Sequence, residues 1–427
     1  MKKVLWNIYG NKYDLNDFLD NHPGGRHILE NVKGDTDLTP LFESYHAFGD
    51  FESIKNQLNR YKVDEPGVEQ IYNFDKNGFY YTLKKRVREY FGQKKSLTDK
   101  IKINNFWVIK TIISICMFIF TYSIAFFSTS IFALRVLNGF LSGILFVVLG
   151  FCIMHDASHY ALFNKRNQIN IYFSQIWNSF ALWDYDLWFR HHGHYHHSFT
   201  GSDLDPDVKF MKPLIIKSPI NSTKGYLIIE NKTLLFSISF VWFLIFPGFF
   251  LGQGMLYWMV WKKKGYLWNL GLPKLTFSWL KILLGGLFIF SHLYKFNFWV
   301  SLSYLIAANI SYGCCILPDH DTYQSMINQA KTNDWGEAQV VHSANFETKR
   351  FCDYFCYIFG GINYQIEHHL FPSMCHVHYP EIAPIVKKTC QEFNIEYVEH
   401  SSVYDSLKDV IKSLIILNKH NKSNKKS

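Results

Sequence analysis

Three groups of histidines, separated by apolar stretches long enough to cross a bilayer, constrain this chain more than any other feature. Residues 191 to 197 read His191-His192-Gly193-His194-Tyr195-His196-His197, so five of the 19 histidines fall within seven positions. Upstream stand His155 and His159, four residues apart, and downstream the adjacent pair His368 and His369. A single histidine run is as readily a solvated loop as a metal site, but three groups in one chain imply a shared centre. Positions i and i+4 lie on one helical face, so His155 with His159, and His192 with His196 in a helical segment, can each point at one ion. Together with His197, His368 and His369 they exceed the three or four protein ligands of one zinc site, which points to two metals. Iron is the candidate for oxygen chemistry.

The chain is 48% hydrophobic and 18% aromatic, yet its apolar blocks alternate with basic, Asn-rich stretches, the pattern of a polytopic membrane protein with sizeable aqueous parts. Its net charge of +9 therefore requires no nucleic-acid partner, because Lys84, Lys85, Arg86, Arg88, Lys94, Lys95, Lys100, Lys102 and Lys262 to Lys264 flank apolar spans. Four spans are expected, at 111–127, 136–154, 275–294 and 298–317, each approaching the roughly 20 residues needed to cross the hydrocarbon. Residues 169–188 are too polar to span and suit an interfacial helix. If the three histidine groups meet on one side, an even number of crossings separates the second from the third. The apolar stretch 234–261, broken by Pro247, Gly248, Gly252 and Gly254, is therefore read as interfacial or re-entrant, leaving both termini cytosolic. In this topology His320 leaves the fourth span as His155 leaves the second, making it a further metal candidate beside the weaker His342. Asp156, Asp203, Asp205, Asp207 and Glu367 are candidates to orient ligating imidazoles. The eight cysteines show no disulfide framework, as expected of a reducing compartment.

The spacing HxxxH, HxxxHH and QxxHH resembles the three histidine boxes of membrane-bound fatty-acyl desaturases. The resemblance extends through Asp205-Pro206-Asp207 after the second box, and from Gly360-Gly361-Ile362-Asn363-Tyr364 to Leu370-Phe371-Pro372 around the third. Gln365, where many relatives carry a histidine, resembles the mark of the front-end subgroup, which adds a double bond between an existing one and the carboxyl end. The amino-terminal module carries His22-Pro23-Gly24-Gly25, then Asp35-Thr36, Phe42 and Tyr45-His46, at the spacing of cytochrome b5. That likeness implies that His22 and His46 are the two axial ligands of one haem b. Two protein ligands leave no open site for oxygen and favour electron transfer. His27 is assigned to the surface or the haem edge, and Glu43, Asp50 and Glu52 either to an acidic rim for a reductase or to a solvated face.

The resemblance implies an α+β haem domain (1–65), a linker with a basic amphipathic segment at the membrane surface (66–105), an all-α membrane domain with a cytosolic histidine cap (106–400), and a polar tail (401–427). It implies catalytic roles for His155, His159, His192, His196, His197, Gln365, His368 and His369. The implied reaction uses two non-haem irons, O2 as co-substrate, and NADH electrons through an external flavin enzyme, NADH-cytochrome b5 reductase. Its substrate is a fatty-acyl lipid or acyl-CoA, and its setting the endoplasmic reticulum membrane. The alternatives are a sphingoid-base desaturase, a hydroxylase on the same scaffold, and a membrane-tethered haem carrier with vestigial boxes.

Overall fold

The computed structural model describes residues 4–34, 36–92, 97–164, 167–181, 183–207, 279–294, 297–328, 330–348 and 353–424. The expected interfacial or re-entrant stretch 234–261 lies outside them. Strands β1 (Trp6–Ile8), β2 (Asn11–Tyr13) and β3 (Lys62–Pro66) form an antiparallel sheet in that order. Ile8 pairs with Asn11, so the turn consists of Tyr9 and Gly10 alone, both at positive φ as a two-residue hairpin demands. Short helices Arg26–Val32, Thr39–Tyr45 and Phe51–Asn59 pack on the sheet around Trp6, Tyr13, Leu15, Leu29 and Leu38.

The segment after β3 differs from the expected surface linker. The helix Phe79–Phe91 turns Phe79, Tyr80, Leu83 and Val87 inward, against Trp335, Phe371, Tyr379 and Ile382, instead of lying on a membrane. Its Lys84 Nζ lies 2.5 Å from Glu43 Oε2, both side chains buried, and Arg88 donates to the carbonyls of Ala47 and Gly49 at 3.1 and 2.7 Å. The basic face expected to hold lipid thus clamps the amino-terminal module. Glu43 is an internal ion-pair partner, not part of an acidic rim.

Three helices among the described residues are long and apolar enough to cross a membrane, not four: Leu97–Phe126, Phe132–Ser158 and Phe298–His320. The expected span at 275–294 is described from residue 279 and gives a 13-residue apolar helix, Lys281–Leu293. At 1.5 Å per residue that is about 20 Å, short of the hydrocarbon thickness. Asparagines start two of the long helices. Asn104 Oδ1 accepts from Trp107 N at 2.9 Å, and Asn297 Oδ1 accepts from Trp299 N at 3.1 Å and Val300 N at 3.3 Å. Ile109, Ile112, Phe120, Leu137 and Trp299 point outward, each more than half exposed, as apolar side chains do only where something other than water covers them.

The second and third long helices run in parallel and approach closely at Gly139 and Gly143. A Cβ on Gly139 would meet Ser303 and Val300, and one on Gly143 would meet Tyr304, Ala307 and Ala308. Small residues four apart permit this backbone approach. Both helices end at the histidines, one at His155 and the other at His320. The polar stretch before the second box forms a helix, Asn167–Phe180, whose Trp177 and Phe180 pack on Phe118 and Phe146.

Candidate metal and haem centres

Wide helical turns deliver two of the three histidine groups. The second long helix changes to π-helical hydrogen bonding over Gly150–His155, and the second box lies in a π-helical stretch, Phe189–His196, rather than the α-helix assumed from its spacing. Such turns are rare and collect at functional sites. The third box forms the short helix Gln365–Leu370. All seven predicted box histidines are at most 9% exposed.

They converge in overlapping groups whose potential ligand atoms lie within 4.8 Å of one another: His155, His159, His192 and His368; His196, His320 and His369; and His197, His368 and His369. The Nε2 atoms of His155 and His192 are 3.1 Å apart, and those of His197 and His192 are 3.3 Å apart. Metal–nitrogen bonds of about 2.0–2.1 Å place neighbouring ligand nitrogens roughly 3.0–3.4 Å apart, so these contacts match the edge of a coordination shell.

The outer nitrogens are spoken for and inner ones are not. His159 Nδ1 pairs with Tyr45 Oη at 2.9 Å, His368 Nδ1 with Tyr379 Oη at 3.1 Å, and His369 Nδ1 with Gln339 Oε1 at 2.9 Å. In all three, Nε2 is buried without a hydrogen-bond partner, as is Nδ1 of His155 and of His197. Buried polar atoms without partners are costly, and here they cluster where a cation would satisfy them. An outer partner that fixes the tautomer is the usual arrangement around a metal-bound histidine. Burial and the neighbouring imidazoles hold His159, His192, His197, His368 and His369 well below the ordinary histidine range, in the neutral form that binds metals. The residues therefore fit two metal ions.

His320 joins the second group, with Nδ1 on the carbonyl of His342 at 2.8 Å, whereas the weaker candidate His342 contributes that backbone oxygen and no ligand. Gln365 Nε2 lies 2.9 Å from His320 Nε2. Asp205 accepts from His196 Nδ1 at 3.1 Å and Asp207 from His191 at 2.7 Å, as orienting groups. Asp156 instead pairs with His376 at 2.6 Å, and Glu367 with Asn345 and Tyr397 at 2.7 and 2.9 Å, so neither holds a box imidazole. His376, expected to be an ordinary polar residue, is fully buried.

In the amino-terminal module, the ring centres of His22 and His46 are 6.3 Å apart across a cavity of about 510 Å³. Two imidazoles, each about 2 Å from one iron, would have centres roughly 6 Å apart. His46 Nδ1 donates to Phe42 O at 2.8 Å and His22 Nδ1 to Gly25 O at 3.3 Å, which leaves both Nε2 atoms for a metal. Burial and the facing His46 lower His22 to about 4, and burial lowers His46. A Cβ on Gly24 would lie 2.6 Å from the His22 ring, so the glycine admits it. The pocket fits a bis-histidine haem. Its far wall belongs to the other domain, through Ile101, Lys102, Tyr160, Asn164 and Phe189. His27 Nε2 lies 2.6 Å from Asp186 in the seam between the domains, a placement that its sequence neighbours did not signal. Gln339, Tyr379 and Tyr45 were likewise missed, each a single polar residue distant in sequence from its histidine.

Residues 130–401 match the fatty acid desaturase family model, and residues 2–65 match that of the cytochrome b5-like heme/steroid binding domain. The chain is 25% identical to an acyl-lipid (8-3)-desaturase of Physcomitrium patens over 94% of this chain and 85% of that protein. It is 28% identical to an sn-1 linoleoyl-lipid 6-desaturase of Synechocystis over 81% of this chain and 96% of the relative. A Delta(8)-fatty-acid desaturase of Helianthus annuus is 23% identical over 96% and 87% of the two chains. With these matches beside a converged histidine cluster, the chain belongs to the fatty acid desaturase family and is an oxidoreductase of that kind, with a cytochrome b5-like domain fused at its amino terminus.

Proposed function

We propose that this enzyme introduces a double bond into a polyunsaturated fatty-acyl chain on the carboxyl side of the existing bonds, using two non-haem irons and electrons that arrive through the fused haem. The observation that carries this reading is the convergence of unpartnered imidazole nitrogens from all three boxes. His155, His159, His192 and His368 would hold one iron, and His196, His320 and His369 the other, with His197 between them. When bound, such a pair supplies, with O2, an oxidant strong enough for an unactivated methylene. One –CH2–CH2– unit, O2, two electrons and two protons become one –CH=CH– unit and two waters.

The chain's own residues do the remaining work. Burial keeps the imidazoles neutral and water away from them, while Tyr45, Tyr379, Gln339 and Asp205 fix ring orientation through the outer nitrogens. His22 and His46 close both faces of the haem, which suits it to electron transfer. NADH electrons would enter through an external flavin reductase. The outward apolar side chains of the long helices would face lipid, with the histidine cluster and both termini on the cytosolic side of the endoplasmic reticulum. Front-end placement rests on Gln365 and the haem fusion, together with relatives named for 8-3 and Delta(8) desaturation.

The test is to express the full chain in cells fed polyunsaturated acids of several lengths and to locate new double bonds by mass spectrometry. A tunnel of fixed depth places the new bond at one position counted from the carboxyl end. A new bond on the methyl side, or a hydroxylated product alone, refutes the assignment. In the His196→Ala/His197→Ala double variant, non-haem iron and desaturation should be lost while the haem Soret band stays. Unchanged iron in that variant refutes the metal site.

A further inference from the structure

The haem pocket and the metal cluster meet at two consecutive residues. Tyr160 lines the haem cavity, and its chain neighbour His159 belongs to the metal cluster. Tyr160 adopts φ 58°, a left-handed conformation costly for an aromatic residue, and strain of this kind gathers at functional sites. From the other side, Tyr45 directly precedes the haem-ligand candidate His46 and also lines the cavity, and its hydroxyl lies 2.9 Å from His159 Nδ1. A Cβ on Gly193, within the second box, would lie 3.6 Å from that hydroxyl, so the tyrosine tip sits among the boxes.

We propose that Tyr45 couples the two centres. Its hydroxyl oxygen accepts the Nδ1–H of His159, which leaves Nε2 of that ring for the metal. The path from one ligand to the other then runs from His46 through the peptide link into Tyr45 and across one hydrogen bond to His159. Each transfer oxidises ferrous haem by one electron and reduces ferric non-haem iron by one, with no atom or proton crossing. The reductant that recharges the haem is the external flavin reductase. Tyr45 thus acts through His159, as a positioning and coupling residue. A second polar bridge, Thr36 Oγ1 to Tyr195 Oη at 2.8 Å, joins the same domains without touching a box histidine. It separates coupling from simple docking.

This inference rests on the haem and di-iron reading above, and the experiment keeps the two apart. Full-length holoprotein in detergent is given one electron at the haem by flash photoreduction without oxygen, and haem reoxidation is followed at the Soret band. The amplitude reports how many molecules carry a ferric acceptor, and the rate reports the coupling. Tyr45→Phe keeps the ring and removes the hydroxyl. It should slow reoxidation roughly ten-fold or more, with haem content and reductase-driven haem reduction unchanged, whereas Thr36→Val should leave the rate at the wild-type value. A wild-type rate in Tyr45→Phe overturns the proposal, and so does equal slowing in both variants, which would assign the effect to docking. Wild-type protein that lacks haem or non-haem iron would overturn the underlying reading instead.

Discussion

Replacing Gly143 by alanine tests whether the contact between the second and third long helices sets the metal site. A Cβ at this position would lie 2.3 Å from the carbonyl oxygen of Tyr304, 3.0 Å from Ala307 Cβ and 3.1 Å from Ala308 N. The obstacle is mostly backbone, so no side chain can swing aside. The third helix must withdraw by about 0.7 Å to bring the shortest contact to the 3.0 Å below which real Cβ atoms essentially never lie. Overpacking of this kind costs about 1–3 kcal/mol. The same movement carries His320, at the end of that helix, away from His196 and His369, while metal–ligand distances tolerate only about 0.2 Å. Gly286→Ala is the control, because a Cβ there meets nothing within 4 Å. It should be neutral or gain up to about 1 kcal/mol of helix propensity. Thermal unfolding in detergent, followed by tryptophan fluorescence beside iron analysis, should show Gly143→Ala less stable and depleted in iron, with the Soret band intact. A Gly143→Ala protein as stable and as iron-rich as Gly286→Ala would refute the argument.

Lys84→Met should destabilise the folded chain by about 3–5 kcal/mol, because it strands the buried Glu43 carboxylate, and Glu43→Gln/Lys84→Met should recover much of that in chemical denaturation. Gln339→Leu removes the acceptor of His369 Nδ1 and leaves Thr200 Oγ1 at 3.1 Å as its neighbour. Iron should then be lost to a competing chelator about ten-fold more readily. His22→Ala should abolish the Soret band and NADH-driven turnover yet keep the non-haem iron, as measured by elemental analysis.

The sequence made the donors legible and left their supports hidden. Histidines at HxxxH and HxxxHH spacing are conspicuous because few other demands place so many imidazoles together, and His320 followed from asking which spans end on one side. The supports come from far along the chain. Tyr45 is 114 positions from His159, and Gln339 is 30 from His369, and no local periodicity marks such a pair. Asp156 was read as a support for its neighbours, but its carboxylate faces His376, 220 positions away. The helix Phe79–Phe91 shows the limit of amphipathic patterning, which predicts that one face is covered and not whether lipid or protein covers it.

The two π-helical stretches make the metal centre sensitive to chain length in a way that composition does not reveal. A π turn holds one residue more than an α turn, so deleting a single residue between Gly150 and His155 would let the segment relax to the commoner helix. Every side chain beyond the deletion would then rotate by about 100° around the axis. His155 would leave the cluster although no histidine had been replaced, and the same holds for Phe189–His196. Over evolutionary time these stretches should accept exchanges of residue type far more readily than a gain or loss of one residue.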